Sequence, residues 1–424
     1  MRELIVRFEK IVPEGKSLGR INGKIVFCYG VLPDEIAKIK VLKEKSHYIE
    51  GELIEIIEKS KYRVGIKEDH YLSCSCWQGF DYKKQVELKR NLLKEIYFQH
   101  IKEEVEVNGF EEAEEIFGYR TKVEFSFLKE GRTYLAFYKR GSKKDKYKLE
   151  NGCILASKYM NDVALKITDK LNKLNYPFEY LKGLTVRESK RFNQRIAILF
   201  IMKKLIPEIN IFENLDGFYI VYSFEKSPAF VFTEILKKEG IEFLKEKILD
   251  LEIYYGPESF FQNNIPLFEK ALIDIKNNCE NVKKIVELYS GVGSIILNLK
   301  DYGKKIYGVE VVKEACDFSI FNAKINNIFH FKVANSYAEK LDYEFLENTD
   351  ILVLDPPRSG LHKNIINLIL SSLPKKIIYL SCNPITQARD YSLLKEKYKI
   401  KFLKGYDFYP NTPHMESLLV LERI

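Results

Sequence analysis

The last third of the chain carries five short apolar runs, each followed by a polar or helix-like stretch, and this alternation constrains the fold most. Such runs predict buried strands, and alternation with helices favours a parallel sheet because parallel strands need crossover connections. Residues 251–424 are therefore predicted to form a doubly wound α/β sheet that ends in a hairpin, Phe402–Tyr409 with Glu416–Glu422. The five strands are predicted at Lys284–Leu288, Lys305–Val309, Phe329–Val333, Asp350–Leu354 and Lys376–Leu380.

Residues 1–58 follow a different pattern, in which short strand-like runs are separated mostly by glycine-containing turns. This pattern is typical of a small β-barrel, a fold that commonly binds oligonucleotides. A barrel with only a structural role fits the pattern equally well. The four predicted strands are Glu3–Phe8, Lys24–Cys28, Glu35–Lys43 and Tyr48–Ile57.

Residues 59–250 mix strand-like and helical stretches and are predicted to form a central α+β domain. Apolar residues at helical spacing predict a helix over Tyr82–Ile101, which could pack on the C-terminal domain. The basic run Lys139–Lys146 lies beside aromatic strands. It is compatible with a solvated loop and with a surface that binds RNA phosphates.

Composition excludes several classes of protein. The 424 residues contain no apolar run of 18 or more, so we expect no transmembrane helix. The first residues lack the apolar core of a signal peptide, and seven scattered cysteines do not suggest a disulfide framework, so we expect a cytoplasmic protein. The net charge of +8 is a mild excess and indicates a polyanionic partner only weakly.

A glycine turn and an acidic residue predict a site for a nucleoside-containing cofactor. The strand ending at Leu288 leads into Tyr289-Ser290-Gly291-Val292-Gly293, and this G-x-G turn is predicted to open a helix. Such a turn lets the backbone approach a ligand closely. The third glycine of a dinucleotide motif is replaced by Ile296. Glu310 ends the next strand, where a carboxylate can accept hydrogen bonds from ribose hydroxyls.

Three further residues suggest covalent chemistry. Cys382 follows a buried strand, Pro384 prevents that strand from continuing, and Asp355 ends a neighbouring strand. A thiolate that adds to carbon 6 of uracil makes carbon 5 nucleophilic, and a base must later remove the carbon 5 proton. Glu416 is the candidate base.

Six motifs occur in a fixed order: Ser-Phe-Phe-Gln-x-Asn at 259–264, Leu-Tyr-x-Gly-x-Gly at 288–293, Gly-Val-Glu at 308–310, Asp-Pro-Pro-Arg-x-Gly at 355–360, Ser-Cys-Asn-Pro-x-Thr at 381–386 and Thr-x-His-x-Glu-Ser at 412–417. With them the chain resembles the RNA (uracil-5-)-methyltransferase family over nearly its whole length. The resemblance implies a Rossmann-like class I methyltransferase domain that uses S-adenosylmethionine, with Cys382 as nucleophile and Glu416 as base. It also implies a TRAM barrel over residues 1–58, as in members that act on ribosomal RNA, and a strand at Gly118–Phe125 that helps to hold RNA. The predicted cofactor contacts are Gln262, Tyr289, Gly291, Glu310, Asn335 and Asp355.

The chain departs from the family pattern at two places. Many members bind a [4Fe–4S] cluster through four cysteines, but here the first position falls near Lys67 or Glu68 and Ser73 occupies the middle one. Three thiols with C-x-C spacing fit such a cluster poorly, so we predict no metal; the residues nearest the family's ligands are Cys74, Cys76 and Cys153. Asn335 replaces an acid found in many methyltransferases, although an amide can still hydrogen-bond adenine.

Two other functions remain open. An amino-methyltransferase acting on an exocyclic nitrogen would need neither Cys382 nor Glu416. A non-catalytic RNA-binding protein would keep the fold and transfer no methyl group. The TRAM-like barrel favours 23S ribosomal RNA over transfer RNA as the substrate, and neither a membrane nor an obligate protein partner is expected.

Overall fold

A closed five-stranded barrel forms the amino-terminal part of the molecule. The structure is a computed structural model, and it describes residues 2–227 and 230–424. Alternate side chains fill the barrel interior, among them Val6, Phe8, Val26 and Ile39. This confirms the predicted small barrel, although the strand Ser17–Ile21 was not among the four predicted strands. Its strands are β1 (Glu3–Ile11), β2 (Ser17–Ile21), β3 (Lys24–Cys28), β4 (Ile36–Glu44) and β5 (Tyr48–Glu58), in the order β1-β2-β3-β5-β4.

A buried ion pair between Glu35 and Arg63 joins the barrel to the segment that follows it. Glu35 accepts hydrogen bonds from the backbone N–H groups of Leu32 (2.8 Å) and Ser60 (3.1 Å). Its two oxygens also pair with Nε and Nη2 of Arg63, each at 2.5 Å, and Nη2 donates to Gly30 O as well (2.8 Å). A charge-assisted pair with this many hydrogen bonds holds its geometry when buried.

A long helix leads from the barrel to the C-terminal sheet. Asp81 caps it by accepting a hydrogen bond from Lys84 N (3.1 Å). The hydroxyl of Tyr97 donates to Gln387 Oε1 (2.8 Å), which lies in the C-terminal part of the chain. The elements here are α1 (Tyr71–Cys74), α2 (Tyr82–Ile101) and β6 (Gly109–Glu111), and β6 adds an edge strand to the C-terminal sheet.

A seven-stranded sheet covered by one long helix forms the centre. Its apolar face packs on Met160, Val163 and Ile167 of that helix. The elements are β7 (Lys122–Glu130), β8 (Arg132–Tyr138), β9 (Lys146–Leu149), α3 (Lys158–Lys173), β10 (Leu181–Ser189), β11 (Gln194–Ile201), β12 (Gly217–Tyr222) and β13 (Glu234–Gly240), with the sheet order β13-β12-β11-β10-β7-β8-β9.

The C-terminal part is an eight-stranded sheet with helices on both faces, preceded by a two-stranded hairpin. The elements are β14 (Leu244–Ile248), β15 (Leu251–Tyr255), α4 (Ile265–Asn277), β16 (Val282–Leu288), β17 (Gly303–Glu310), α5 (Lys313–Ile325), β18 (Phe331–Asn335), α6 (Tyr343–Leu346), β19 (Ile351–Leu354), α7 (Lys363–Ser372), β20 (Lys376–Ser381), α8 (Pro384–Leu394), β21 (Tyr398–Tyr406) and β22 (Glu416–Arg423). The sheet order is β18-β17-β16-β19-β20-β22-β21-β6.

The inner strands of this sheet are parallel and covered on both faces. β16 to β20 run in one direction, whereas β22 is antiparallel to β20. One face packs on α4 and α5, and the other packs on α2, α7 and α8. The arrangement confirms the predicted doubly wound α/β fold. Within the described residues, no helix is both long and apolar enough to cross a membrane.

Some predicted boundaries are wrong. The strand predicted at Phe329–Val333 begins at Phe331, and Phe329 itself is exposed. The first strand of the final hairpin ends at Tyr406, not Tyr409. The glycine turn does not open an α-helix: the short connection to β17 contains only a 3-10 turn, Ile296–Leu299.

Candidate active site

The carboxyl ends of neighbouring parallel strands form one edge of the C-terminal sheet. Leu288 at the end of β16 pairs with Leu354 at the end of β19, and β20 continues in the same direction beside β19. The residues that follow these strands, Tyr289, Asp355 and Cys382, therefore emerge at the same edge. This is where ligands bind in open α/β sheets.

Cys382 and Glu416 lie next to one another because β20 and β22 are antiparallel neighbours. Ser381 pairs with Ser417, so the next position on each strand is Cys382 on one side and Glu416 on the other. The loop after β20 is held by Asn383, whose Oδ1 accepts from Ile385 N (3.2 Å) and whose Nδ2 donates to Arg358 O (2.8 Å). The thiol and the Asp355–Gly360 loop are thereby fixed relative to each other.

A cavity of about 800 Å³ opens at this edge. Phe260, Arg358 and Tyr409 contribute to its walls. Its volume falls within the usual range of small-ligand sites. Seven of the eight predicted site residues line it, namely Gln262, Tyr289, Gly291, Glu310, Asp355, Cys382 and Glu416.

Asn335 does not line this cavity. Its Nδ2 donates to the backbone oxygens of Glu310 (3.0 Å) and Val311 (2.9 Å), so it joins the ends of two strands. The neighbouring residues Ser336 and Tyr337 line the cavity in its place. A direct contact from Asn335 to a cofactor remains a prediction.

The glycine turn and Glu310 form one hydrogen-bonded unit. Glu310 Oε2 accepts from Gly291 N (2.9 Å) and Oε1 accepts from Val312 N (2.8 Å). Gly291 has a φ of 51°, and the space where a Cβ would lie is open. A carboxylate has about four acceptor positions, so Glu310 can still accept hydrogen bonds from a ligand.

Two carboxyl groups in the cavity have raised pKa values. Burial raises the pKa of Asp355 to about 7, and its Oδ2 accepts a hydrogen bond from Gln262 Nε2 (3.3 Å). Burial, together with the charge of Asp355, raises the pKa of Glu416 well above its usual value, while the Arg358 cation opposes this shift. Glu416 Oε2 is buried and has no hydrogen-bond partner. A buried oxygen without a partner is free to accept a proton or a hydrogen bond from a ligand.

The thiol of Cys382 is also held in its neutral form. Burial, followed by the charges of Glu416 and Asp355, raises its pKa to about 12. The guanidinium of Arg358, which is exposed at the rim, acts in the opposite direction. Formation of a thiolate therefore depends on the balance between this cation and the two carboxyl groups.

Sequence reasoning missed several residues that line the cavity. Tyr409 and His414 contact each other edge to face, with ring centroids 6.2 Å apart, and Arg120 reaches the cavity from the central domain. Burial, and secondarily nearby cations, lowers the pKa of His414 to about 3, so its ring is neutral. His414 lies within the last of the six motifs, and Arg120 lies within the predicted strand Gly118–Phe125. These positions were their only sequence signal.

A second cavity, of about 360 Å³, adjoins Cys382 on its other side and combines all three parts of the chain. Val12 to Gly15 and Tyr29 come from the barrel, and Arg140 comes from the central sheet. The Arg140 guanidinium lies over the Tyr29 ring, 4.5 Å from its centroid. A cation and an aromatic ring in one groove can bind the backbone and a base of single-stranded nucleic acid.

The three candidate cluster cysteines do not converge. Cys74 and Cys153 lie together with Glu68 and His70, with one possible ligand atom from each within 4.8 Å of the others. Cys76 instead packs in the apolar core beside Trp77 and Phe80.

Two family models match the chain. Residues 2–54 match the TRAM domain, and residues 235–424 match the family described as tRNA (uracil-5-)-methyltransferase.

Similar proteins extend over nearly the whole chain. A Prochlorococcus marinus protein named uncharacterized RNA methyltransferase is 32% identical over 429 residues, covering 93% of this chain and 100% of the relative. An Aquifex aeolicus protein with the same name is 31% identical and covers 99% of both. The crystal structure of Pyrococcus abyssi tRNA (uracil-54, C5)-methyltransferase in complex with S-adenosyl-L-homocysteine has the same fold, with a TM-score of 0.81 at 23% identity over 99% of this chain and 100% of that one. Identity at this level along nearly the full length shows that this chain is an enzyme of the RNA (uracil-5-)-methyltransferase family, with an amino-terminal TRAM domain.

Proposed function

We propose that this enzyme methylates carbon 5 of a specific uridine in RNA through a covalent adduct of Cys382. The observation that carries the proposal is the placement of Cys382 beside Glu416 on adjacent strands, in the wall of a cavity that also holds Asp355 and Glu310. An amino-methyltransferase needs neither a thiol nor a second carboxylate there. The non-catalytic alternative gives no reason for Glu416 to be buried without a hydrogen-bond partner.

S-adenosylmethionine, when bound, supplies an electrophilic methyl group. The residues we assign to hold it are Glu310, for the ribose hydroxyls, and Gln262, Tyr289, Gly291 and Asp355 around it. The open space beside Gly291 and the spare acceptor positions of Glu310 fit a nucleoside. Asn335 bonds the end of the neighbouring strand through its Nδ2, and its predicted contact to the cofactor stays a prediction.

The chain's own residues then act on the uracil ring. The Cys382 thiolate forms a bond to carbon 6, and the electron pair of the 5,6 double bond moves to carbon 5. Carbon 5 then bonds the methyl group, and the electron pair of the broken methyl–sulfonium bond would stay with the sulfur of the departing S-adenosylhomocysteine. Glu416 then removes the proton that remains on carbon 5. That electron pair restores the double bond, and the bond from Cys382 to carbon 6 breaks. A raised pKa makes Glu416 a stronger base than an exposed carboxylate.

The target base must leave its stack to reach Cys382, which costs roughly a few kcal/mol in a duplex and least in a loop. The groove lined by Tyr29 and Arg140 presents a cation stacked on an aromatic ring beside the thiol. We assign this groove to the RNA strand that flanks the target uridine.

The test is methyl transfer from labelled S-adenosylmethionine to total RNA that lacks 5-methyluridine. We expect label in 5-methyluridine with the wild-type chain and with Cys279→Ala, a matched control at a cysteine that does not line the cavity. Cys382→Ala should give none. Label that persists in Cys382→Ala contradicts the covalent mechanism, and absence of label with the wild-type chain contradicts the proposed reaction.

The same labelled RNA identifies the substrate. We propose 23S ribosomal RNA, because family members that act on ribosomal RNA often carry a TRAM barrel, which residues 2–54 match. Transfer RNA is the second candidate, since the matching family model and the Pyrococcus abyssi enzyme are both described by that substrate. That enzyme shares the fold along the whole chain, barrel included, so the barrel alone does not separate the two RNAs. Label confined to transfer RNA would overturn the ribosomal assignment and leave the chemistry intact.

A further inference from the structure

The four groups near Cys74 do not suit the [4Fe–4S] cluster that many family members bind. Such a cluster needs four thiolates arranged around a body of four irons and four sulfides. Here only Cys74 and Cys153 converge, and Cys76 lies in the apolar core outside the group. One possible ligand atom from each of the four residues lies within 4.8 Å of the others, which leaves no room for a cluster between them.

We propose that Glu68, His70, Cys74 and Cys153 bind a single divalent metal ion of the zinc class. Two thiolates, one imidazole and one carboxylate are a donor set that zinc accepts in tetrahedral geometry. Ligand atoms on one zinc lie roughly 3.3–3.8 Å apart, from its usual bond lengths. Glu68 Oε2 and Cys74 Sγ are 3.8 Å apart, which falls within this range.

A second observation points to a ligand at this place. The Nε2 atom of His70 is buried and makes no well-formed hydrogen bond, although it lies 3.3 Å from Glu68 Oε1. Buried polar side-chain atoms nearly always have a partner, and coordination of a metal ion would satisfy this one. His70 is only 7% exposed, so bulk water does not satisfy it.

The ligands are held by hydrogen bonds from surrounding residues. Glu68 Oε1 accepts from Ile154 N (2.5 Å), which leaves Oε2 for the metal. Asn161 bonds both backbone groups of Cys153, each at 2.9 Å. Gln78 Oε1 accepts from Glu68 N (3.1 Å). Such outer contacts orient ligands in metal sites.

The charge of the surrounding residues also fits a metal ion at this site. Two thiolates, a carboxylate and a divalent ion carry a net charge of about −1, which is costly to bury without a counter-charge. The side chain of Arg120 lies close enough to Cys74 and Cys153 to interact with both, and its buried Nε has no hydrogen-bond partner. Arg120 also lines the active-site cavity, so the metal site and the cavity share a wall.

The consequence is a cross-link between two parts of the chain that are distant in sequence. Glu68, His70 and Cys74 belong to the segment between the barrel and α2, whereas Cys153 belongs to the loop between β9 and α3. Arg120 N donates to Leu155 O (3.1 Å) two residues after Cys153. A metal bound here fixes the position of Arg120 as well as the link between the parts.

The experiment measures metal content and cobalt spectra of the full chain. We expect the purified wild-type chain to hold about one equivalent of zinc by elemental analysis. After chelation, Co²⁺ should give the thiolate-to-cobalt and tetrahedral absorption bands, which Zn²⁺ abolishes by displacement. Cys153→Ser and His70→Gln should each weaken Co²⁺ binding by at least about tenfold. Cys76→Ala and Cys279→Ser should leave it unchanged.

Several outcomes overturn the proposal. One is a purified chain that contains iron and stoichiometric sulfide, with a visible absorbance that Cys76→Ala abolishes. Another is a disulfide between Cys74 and Cys153 in the purified chain. The third is a reduced wild-type chain that gives no cobalt bands. If Cys153→Ser does not fold, Glu68→Gln keeps the side-chain volume and decides the same question. A rise in the melting temperature of the wild-type chain with added Zn²⁺, absent in Glu68→Gln, is expected.

Discussion

At the scale of single residues, one substitution tests the proposed role of Glu416 as the general base. Glu416→Gln keeps the side-chain volume and removes the base, so the proton on carbon 5 stays in place and Cys382 cannot leave. Loss of a general base typically slows a reaction by about 10²–10⁴-fold. We therefore expect turnover to fall by that factor while a covalent RNA–protein adduct accumulates, seen as a band of reduced mobility on a denaturing gel with labelled RNA.

The double variant Cys382→Ala/Glu416→Gln is the control for that adduct, because it lacks the sulfur that forms the bond. It should bind RNA and give no shifted band. An adduct that persists in the double variant places the covalent bond on another residue.

The cation of Arg358 lowers the pKa of the Cys382 thiol, against the larger effects of burial and of two carboxylates. Because its cation opposes the raised pKa of Cys382, Arg358→Gln raises that pKa further and lowers the thiolate fraction at every pH below about 12. The raised pKa of Glu416 also makes the rate increase with pH, because more of this base is deprotonated as the pH rises. We expect kcat/KM of the wild-type chain to increase from neutral to alkaline pH, and the profile of Arg358→Gln to move to higher pH.

Arg358→Lys keeps the positive charge and tests whether charge is what matters. Its profile should stay close to that of the wild-type chain, although its absolute rate will fall if the planar guanidinium contacts RNA. Profiles of wild type and Arg358→Gln that differ only in height would show that Arg358 binds RNA and does not tune the thiol.

At the scale of elements, the sequence was sufficient to predict those strands and turns that have a clear local sequence pattern. The strands that end at Leu288, Leu354 and Ser381 are apolar runs with a turn signal after each, and the site residues follow directly. Topology then brought seven of eight predicted residues to one cavity. β6 could not be predicted, because three residues carry no periodicity and their partner β21 lies almost 300 residues away.

The metal-ligand group shows a different limit. Family spacing directed attention to Cys76, which packs in the core, and away from His70, which has no thiol to mark it. Cys153, which lies beside His70 in this group, comes from a different part of the fold. The pairing depends on how the loop before α2 folds against the central sheet, and no local pattern encodes that.

A buried ion pair joins helix α2 to the segment that carries the site. Lys89 Nζ lies 2.5 Å from Asp407 Oδ1, both side chains are fully buried, and Nζ also donates to Tyr409 O (3.2 Å). Lys89→Met leaves Asp407 as an uncompensated buried charge, which typically costs about 3–5 kcal/mol. We expect the free energy of unfolding in urea to fall by that amount and methylation to weaken, because Tyr409 lines the cavity.

The double variant Lys89→Met/Asp407→Asn removes both charges and should recover much of the lost stability. Lys84→Met is the matched control, since that lysine pairs with Glu87 at the surface of the same helix and should change stability little. Equal effects at the two lysines would show that the buried pair contributes no more than a surface pair.

At the scale of the whole molecule, the groove beside Cys382 exists only because barrel, central sheet and C-terminal sheet meet there. Arg140 is placed in it by a hydrogen bond from its Nε to Leu72 O (2.9 Å) and by the Tyr29 ring beneath its guanidinium. If the groove holds the RNA strand, Arg140→Gln removes a phosphate contact. We expect weaker RNA binding and a slope of log K against log salt that is shallower by about 0.7–0.9.

The matched control is Lys143→Gln, which removes an equal charge from the same basic run but outside the groove. Fluorescence anisotropy with one labelled RNA, measured over a series of salt concentrations, compares both variants with the wild-type chain. We expect Lys143→Gln to change the slope less than Arg140→Gln and to leave kcat unchanged. Equal slopes for the two variants would mean that the basic run attracts RNA by its overall charge, and that the groove formed by the three parts does not direct the strand to Cys382.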